Sequence, residues 1–276
     1  LLYRYQFGFR KQHNTSHALV TLVNELSMAL DKGHSCLGVF VDLKKAFDTV
    51  DHAILLRKLE KYGFRGTPLK WVENYLNERT QCVKILNCES SFVNIVCGVP
   101  QGSVLGPLFF LLYVNDIDNV CTDLYSVLFA DDTNLFISGK EIEPLYSSMN
   151  TALGKIVTWL QSNKLSLNVL KTHYMLFTLK KNKDISNLSL KLNGLNINRV
   201  EKTKFLGVIV DDKLNWNCHI EYIKKKVSKN AGIICKARNY FERSTLTTLY
   251  YTFIFPYLIY CIEVWGSASL VHINKL

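Results

Sequence analysis

The sequence predicts an α+β fold in which helices pack on one face of a sheet. Strand-like and helix-like segments interleave along the chain without the strict βαβ repetition of a parallel sheet. With 276 residues, 48% of them hydrophobic, the chain can bury a sizeable core in one large domain or in two or three closely packed ones. Neither an internal repeat nor a low-complexity linker divides it.

Apolar residues at helical spacing predict four helices in the first half of the chain, at 15–31, 51–63, 67–78 and 108–117. Small polar residues stand where N-caps are expected, namely Thr15 or Ser16, Asp51, and Thr67 followed by Pro68. A continuous apolar run at 36–43 predicts a buried strand. Runs at 81–86 and 91–99 predict a hairpin with its turn at 87–90.

The second half of the chain is predicted to continue this alternation. An amphipathic helix is expected at 141–163, a strand at 173–179 and a hairpin at 204–216, and the remainder reads as mostly helical. The apolar stretch 246–262 is short for a membrane span, contains Pro256 and is rich in Tyr. We therefore predict a buried helical hairpin there.

The net charge of +10 comes almost entirely from one region. From Lys180 to Arg243 there are fifteen basic and six acidic residues. Such an excess suits a polyanion such as nucleic acid or an anionic membrane surface, and equally a solubilising surface. The eight cysteines lack the paired spacing of zinc ligands, so reduced thiols in an intracellular protein are predicted rather than a disulfide or zinc framework.

Two adjacent carboxylates interrupt the apolar segment VLFADDTNLFIS at 127–138. An Asp pair in a turn is commonly a solvated turn, and Asp211-Asp212 is predicted to be one. Asp131-Asp132 differs because the residues on both sides read as buried, and a buried charge is costly unless it is paired or binds a metal ion. No Lys or Arg lies in the same predicted hairpin.

Asp42 lies at the end of the predicted strand 36–43. If the two strands are neighbours, Asp42 and Asp131 face each other, and carboxylates from separate strands form a site for hard divalent ions such as Mg²⁺. Two such ions about 4 Å apart activate an attacking hydroxyl and stabilise a leaving phosphate oxygen. The alternative for Asp42 is a helix N-cap, given the residues KKAFD that follow it.

The segment GVPQGSVLGP at 98–107 is rich in Gly and Pro and precedes an apolar helix. Its simple interpretation is a loop in which Ser103 caps the helix. Its functional interpretation is a backbone that comes very close to a flat group such as a base pair, with the amide of Gln101 offered to that group.

Together these segments resemble the palm motifs of reverse transcriptases. FVDLKKAFDTVDH, GVPQGSVLGPLFF and FADDT occur in this order, and the resemblance is strongest to the non-LTR (LINE-type) retrotransposon branch. Further similar segments, which extend the resemblance over nearly the whole chain, are QFGFRKQHNTSHAL, WVENYLNERTQCV, NVLKT, FLGVIVDDKLNW and YCIEVWGSA.

The resemblance implies a right-hand polymerase architecture. Its expected parts are partial fingers at 1–36, palm at 37–65, a fingers insertion at 66–97, palm with the primer-grip hairpin at 98–215, and a helical thumb-like region at 216–276. The fingers segment that precedes QFGFR in this family is expected to be incomplete here. The family also implies an intracellular location, in the nucleus and cytoplasm.

The resemblance further implies a catalytic centre. Asp42, Asp131 and Asp132 are expected to bind two Mg²⁺ ions, with Mn²⁺ as a possible replacement. Lys171 stands where the family has a lysine near the departing pyrophosphate, and a surface lysine is the alternative. Phe47 stands where the family has a steric gate against the ribose 2′-hydroxyl, and a core Phe is the alternative.

Binding residues are implied in the same way. Gln101 and Gly102 are expected to line the pocket of the nascent base pair, and Leu206 and Gly207 to grip the primer end. The lysines expected to track a duplex backbone are Lys224, Lys225, Lys226 and Lys229.

The implied function is RNA-directed DNA polymerase, with an RNA template, a DNA primer and deoxynucleoside triphosphates as partners, and with no membrane and no small-molecule cofactor. Two alternatives stay open. A truncated remnant could bind nucleic acid without catalysis, given the incomplete fingers. An RNA-dependent RNA polymerase is the other, which Phe47 disfavours because that class places a polar residue at the gate.

Overall fold

A computed structural model describes residues 2–120, 122–180 and 187–276 of the chain. Every segment predicted as a long helix is helical. The described helices are α1 (Thr15–Asp31), α2 (His52–Lys61), α3 (Thr67–Leu76), α4 (Leu105–Val114), α5 (Ile142–Ser162), α6 (Asn217–Ala237), α7 (Arg243–Phe253), α8 (Phe255–Ile259), α9 (Ile262–Trp265) and α10 (Leu270–Ile273), with a 3-10 helix at Ile117–Val120.

A five-stranded sheet forms the centre of the fold. Its pairs are antiparallel except for one parallel pair at the edge, which joins residues 173–174 to residues 198–199. In spatial order the strands are β13 (Asn198–Arg199), β10 (His173–Phe177), β1 (Ser35–Val41), β8 (Asp132–Gly139) and β7 (Tyr125–Phe129). All seven residues of the central strand β1 are buried.

Helices cover both faces of this sheet, so the prediction that they lie on one face is wrong. Successive side chains of a strand point to opposite faces. Leu37 and Val39 enter one core together with residues of α2, α4 and α5. Cys36 and Phe40 enter a second core with residues of α1 and α6. The uninterrupted apolar run of β1 follows from this double burial.

Short two-stranded pairs complete the fold. The predicted hairpin after α3 is confirmed, but its turn lies between Ile85 and Cys88, before the predicted position. The pairs are β2 (Leu43–Lys44) with β9 (Ser166–Leu167), β3 (Thr80–Gln81) with β6 (Val93–Asn94), β4 (Lys84–Ile85) with β5 (Cys88–Glu89), β11 (Lys191–Leu192) with β12 (Leu195–Asn196), and β14 (Lys202–Phe205) with β15 (Val208–Asp211).

One of the three predicted N-caps is confirmed. The Asp51 carboxylate accepts from the Ile54 amide at 2.9 Å at the start of α2. At α1 the cap is Asn14, whose side chain accepts from the His17 amide at 2.8 Å, because Thr15 already lies inside the helix. At α3 the helix begins at Thr67 itself, so Thr67 is not the cap.

The apolar stretch near the C-terminus is helical, as predicted, but most of it is not buried; Ile254 and Cys261 are its buried residues. α7 and α8 occupy most of it, and no residue of α7 is buried. Tyr251 is 57% exposed and Phe253 is 48% exposed. Among residues 2–120, 122–180 and 187–276, no helix is long and apolar enough to cross a membrane.

Candidate active site

Asp131 and Asp132 lie at the tip of the β7–β8 hairpin. Phe129 pairs with Asp132, which leaves a two-residue turn of Ala130 and Asp131. Ala130 has φ +56°, a left-handed conformation that costs a non-glycine residue roughly 1 kcal/mol. The flanking strands are largely buried, as predicted, while both carboxylates reach solvent where the two strands end.

Asp42 follows directly on β1, whose last pair with β8 joins Val41 to Thr133. Continuing this register by one residue places Asp42 beside Asp132, and neighbouring strands lie about 4.8 Å apart. Asp42 is followed by the short strand β2 and not by a helix, so the N-cap alternative is wrong. The two predicted strand ends are therefore neighbours, with Asp132 as the cross-strand neighbour of Asp42.

The charges of Asp131 and Asp42 act on Asp132. Desolvation by the surrounding protein, followed by the charges of Asp131 and Asp42, raises the pKa of Asp132 to about 6 from the ordinary 3.8. In the part of the chain that the structure describes, no lysine or arginine forms an ion pair with any of the three. A bound cation would relieve this repulsion.

The donor set fits Mg²⁺, which prefers carboxylate and other oxygen ligands. No three His, Cys, Asp or Glu side chains among the described residues are already arranged to hold a metal ion. The two-ion site at Asp42, Asp131 and Asp132 thus stays a prediction. All seven described cysteines are free, which confirms the predicted thiols for them, and Cys121 lies outside the described residues.

The turn that carries Lys171 is attached to the backbone of Asp42. The Asp42 amide donates to Thr172 Oγ1 at 3.2 Å, and the Asn168 amide donates to the Asp42 carbonyl at 2.9 Å. Thr172 is buried, whereas Lys171 is exposed. The structure places this turn beside the first predicted metal ligand, and the chemical role of Lys171 stays a prediction.

The predicted steric gate, Phe47, contacts the 98–107 loop. The Val99 amide donates to the Phe47 carbonyl at 2.9 Å. The Phe47 ring stacks on Phe110 with centroids 4.3 Å apart and meets Phe9 edge-on at 6.3 Å. The ring is half-buried, so it packs on the core with one face and remains partly accessible.

The 98–107 loop has the turns that its composition predicts. Gly102 has φ +81°, which favours glycine, and is exposed. Ser103 Oγ accepts from the Gly106 amide at 2.9 Å, next to the start of α4, but the N-cap position itself is held by Val104, one residue after the predicted cap. The predicted base-pair contacts of Gln101 and Gly102 stay predictions.

A cavity of about 660 Å³ lies between this loop and the β3–β6 hairpin. Gln101 lines it and donates through Nε2 to the Asp48 carboxylate at 2.8 Å. Lys45 and Arg79 add positive charge to the same wall. Sequence reasoning did not select Lys45, Asp48 or Arg79, although all three lie within the quoted motif segments.

Leu206 and Gly207 form the tip of the β14–β15 hairpin, between the paired residues Phe205 and Val208. Their φ values of +43° and +86° form the tight turn that suits a two-residue hairpin. Tyr260 holds this tip. Its hydroxyl donates to the Leu206 carbonyl at 2.9 Å, and a Cβ on Gly207 would come within 2.9 Å of its ring.

His173 joins this hairpin to the Lys171 turn, and it was not predicted as a functional residue. Its Nδ1 lies 2.8 Å from the Lys171 carbonyl, and its Nε2 lies 2.6 Å from Thr203 Oγ1 on β14. A neutral imidazole satisfies both contacts, with Nδ1 donating and Nε2 accepting. Its only sequence signal was membership of a predicted strand.

Asp211 is not the solvated turn that was predicted. Only 6% of the residue is exposed. Its carboxylate accepts from the backbone amides of Lys213, Asn215 and Trp216, at 2.9–3.2 Å. Asp211 therefore has a structural role at the start of α6, whereas Asp212 remains partly exposed.

The lysines predicted to bind nucleic acid are all exposed on α6. Ile220 and Ile223 are buried in the second core, so this helix has one apolar face and one charged face. The helix packs against β15, α7 and α8. The four exposed lysines are Lys224, Lys225, Lys226 and Lys229.

Comparisons with known proteins match nearly the whole chain. The family model described as "Reverse transcriptase (RNA-dependent DNA polymerase)" matches residues 2–210. The "RNA-directed DNA polymerase from mobile element jockey" of Drosophila melanogaster is 31% identical, covering 99% of this chain and 30% of the relative. Its counterpart in Drosophila funebris is 29% identical with the same coverage. The chain therefore spans less than a third of the length of these relatives.

Two solved structures share the fold. The apo telomerase from Candida tropicalis, truncated from the C-terminal domain, gives a TM-score of 0.51 at 14% identity, covering 74% of this chain and 39% of that chain. The telomerase of the same species in complex with a fragment of telomeric RNA gives 0.50 at 13% identity, covering 75% and 33%. At such identities the similarity concerns the fold alone.

Proposed function

The chain belongs to the reverse transcriptase family, and from this premise we propose that it acts as an RNA-directed DNA polymerase of the non-LTR retrotransposon type. Its α+β fold is the predicted polymerase right hand. The observation that carries the proposal is the position of Asp42 beside the Asp131-Asp132 turn, with the pKa of Asp132 raised to about 6 by desolvation and by its two acidic neighbours.

In the proposed reaction the 3′-hydroxyl of a DNA primer attacks the α-phosphorus of a deoxynucleoside triphosphate paired to an RNA template. A P–O bond to the primer forms, the P–O bond to pyrophosphate breaks, and the hydroxyl loses its proton. Mg²⁺ held by Asp42, Asp131 and Asp132, as two ions that Mn²⁺ could replace, would supply Lewis-acid activation of the attacking and leaving oxygens.

Three groups of this chain act around that centre. Lys171, on the turn attached to Asp42, neutralises or protonates the departing pyrophosphate. Phe47 excludes a ribose 2′-hydroxyl with the accessible edge of its ring. Gln101 and Gly102 line the nascent base pair, with the Gln101 amide oriented by its bond to Asp48.

Nucleic acid is held by two further elements. Leu206 and Gly207 grip the primer end, with their turn held by Tyr260. The lysines on the exposed face of α6 contact the duplex backbone, an interaction that weakens with salt and carries little sequence information. They are Lys224, Lys225, Lys226 and Lys229.

The proposal includes the division into partial fingers (1–36), palm (37–65), fingers insertion (66–97), palm with primer grip (98–215) and thumb-like region (216–276). It also includes action inside the cell, in the nucleus and cytoplasm. The family and the order of the described elements along the chain support the proposed division, and the family alone supports the proposed location.

Primer extension on an RNA template with Mg²⁺ and deoxynucleoside triphosphates tests this function. Asp131→Asn is expected to lower the rate at least a hundredfold, because one electrostatic catalytic group contributes about 2.7–4 kcal/mol. Asp212→Asn, in the other Asp pair, is the matched control and should retain activity. An Asp131→Asn protein as active as the unmodified chain would exclude the proposed centre.

The remnant alternative makes the opposite prediction. It expects salt-dependent nucleic-acid binding that survives Asp42→Asn, and no nucleotide incorporation. A preference for ribonucleotides over deoxynucleotides in the same assay would favour the RNA polymerase alternative and would exclude Phe47 as the gate.

A further inference from the structure

We propose that Gln6 is a positioning residue for the turn that carries Asp131. The proposal rests on the proposed function, which makes Asp131 catalytic. Gln6 lies 124 residues before Ala130 in the sequence, and its side chain contacts the backbone of that turn directly. Its role is to hold the Ala130 amide by a hydrogen bond. This bond keeps Asp131 and Asp132, which follow Ala130, in place at the end of β7 and β8.

One side-chain oxygen of Gln6 binds two backbone amides from different parts of the chain, and we call this arrangement the Gln6 clamp. Its Oε1 accepts from the Ala130 amide at 3.1 Å and from the Gly8 amide at 2.9 Å. Only 2% of Gln6 is exposed, so water does not compete for these bonds. Removing the acceptor would leave two buried N–H groups without a partner, which is costlier than losing an exposed bond.

The backbone around Gln6 extends the sheet. The Phe7 amide donates to the Leu128 carbonyl at 2.8 Å, and the Leu128 amide donates to the Tyr5 carbonyl at 3.0 Å. Gln6 and Leu128 form a parallel bridge. The N-terminal segment thus lies along β7 and ends at the tip of the hairpin, where the Gln6 side chain continues the contacts.

Gly8 permits this close approach. A Cβ at Gly8 would lie 2.2 Å from the Ala130 nitrogen and 3.0 Å from the Ala130 Cα, and both are backbone atoms that cannot move aside. Only a residue without a side chain brings the Gly8 amide next to Oε1 of Gln6 while the turn keeps its place. Gly8 and Gln6 therefore act together: Gly8 lets the N-terminal segment come close to Ala130, and Gln6 bonds to the amides of both residues.

The geometry of the turn explains why a clamp is needed. Ala130 has φ +56°, which alanine adopts at an energetic cost, and the hairpin ladder ends at the Phe129–Asp132 pair. The Gln6 acceptor stabilises this conformation from outside the hairpin. Without it, a more relaxed turn would displace Asp131 relative to Asp42.

Hydrogen–deuterium exchange tests the clamp without depending on activity. Gln6→Met keeps the length and burial of the side chain but removes the acceptor, and we expect the Ala130 amide to exchange about tenfold faster than in the unmodified chain. Asn163→Leu is the matched control, because this buried amide bonds within the end of its own helix, to the Trp159 carbonyl. It should leave Ala130 unchanged.

A kinetic measurement separates positioning from a general loss of structure. In Gln6→Met we expect the single-turnover rate of primer extension, normalised to folded protein, to fall about tenfold while the KM for primer–template stays the same. Gly8→Ala reaches the same turn by steric displacement and should produce the same two effects, which keeps the test valid if Gln6→Met fails to fold.

Unchanged Ala130 exchange in a folded Gln6→Met or Gly8→Ala protein would overturn the proposal. So would a rate loss that Asn163→Leu shares in equal measure. If the unmodified chain incorporates no nucleotide, the proposed function fails, whereas the exchange experiment still decides whether Gln6 holds the turn.

Discussion

Replacing Asp132 with asparagine should stabilise the folded chain at neutral pH while it abolishes catalysis. The carboxylate is held among protein atoms and near Asp131 and Asp42, which together raise its pKa to about 6 from 3.8. Its ionised form is therefore less stable in the folded state than in the unfolded chain. Asparagine removes the charge and keeps the shape.

The size of the expected stabilisation follows from the pKa of Asp132 in the unfolded chain, 3.8, and in the folded chain, about 6. A difference of this size corresponds to about 3 kcal/mol as an upper bound. Because the side chain is also exposed to solvent, which screens its neighbours' charges, we expect about 1 kcal/mol. The folded-state pKa lies above the unfolded one, so the penalty is absent below about pH 4, grows between about pH 4 and 6 and is complete above about pH 6.

Urea unfolding at pH 4 and pH 8, in EDTA, measures this effect. Asp132→Asn should raise the free energy of unfolding by about 1 kcal/mol at pH 8 and leave it nearly unchanged at pH 4. At pH 8 the melting temperature should rise by about 3 °C. Asp123→Asn, in the exposed turn before β7, is the matched control and should not reproduce this gain. A gain of equal size at both pH values, or a loss at pH 8, would refute the electrostatic reasoning.

Four further outcomes are expected. Added Mg²⁺ should raise the melting temperature of the unmodified chain at pH 8 but not that of Asp132→Asn, as differential scanning calorimetry will show. Phe47→Val should raise ribonucleotide incorporation relative to deoxynucleotide incorporation about tenfold in a competition assay, because the gate loses its ring. Tyr260→Phe should lower the free energy of unfolding by about 1 kcal/mol through loss of the bond to Leu206. Replacing the four α6 lysines with alanine should reduce the slope of log binding constant against log salt by up to about 4, measured by fluorescence anisotropy; these are Lys224, Lys225, Lys226 and Lys229.

Local sequence patterns were sufficient to predict the long helices and the central strand of this fold. Apolar spacing predicted α1 and α5, and the continuous apolar run predicted β1, because helix and strand periodicities are properties of short segments. The break in the run at Asp131-Asp132 identified the candidate centre for the same reason. Two charged residues inside an apolar run can be recognised from the run itself, without knowledge of the rest of the fold.

Helix starts were less predictable from local patterns. Several polar residues stand near the first helical residue, and which one caps depends on where the chain enters the helix. Asn14 rather than Thr15 holds the start of α1 for this reason. The two-sided burial of the sheet was also missed, because a single apolar run does not tell which helices come to lie on each face.

The sequence by itself determined the order of helices and strands, the carboxylate doublet and the resemblance that interprets it. Only the tertiary structure decided that Asp42 is the neighbour of Asp132, that Gln6 binds the backbone of Ala130, and that α7 leaves its aromatic side chains in solvent. The physical reason is distance along the chain. Contacts between residues ninety or more positions apart depend on how whole strands align, and no short segment carries that information.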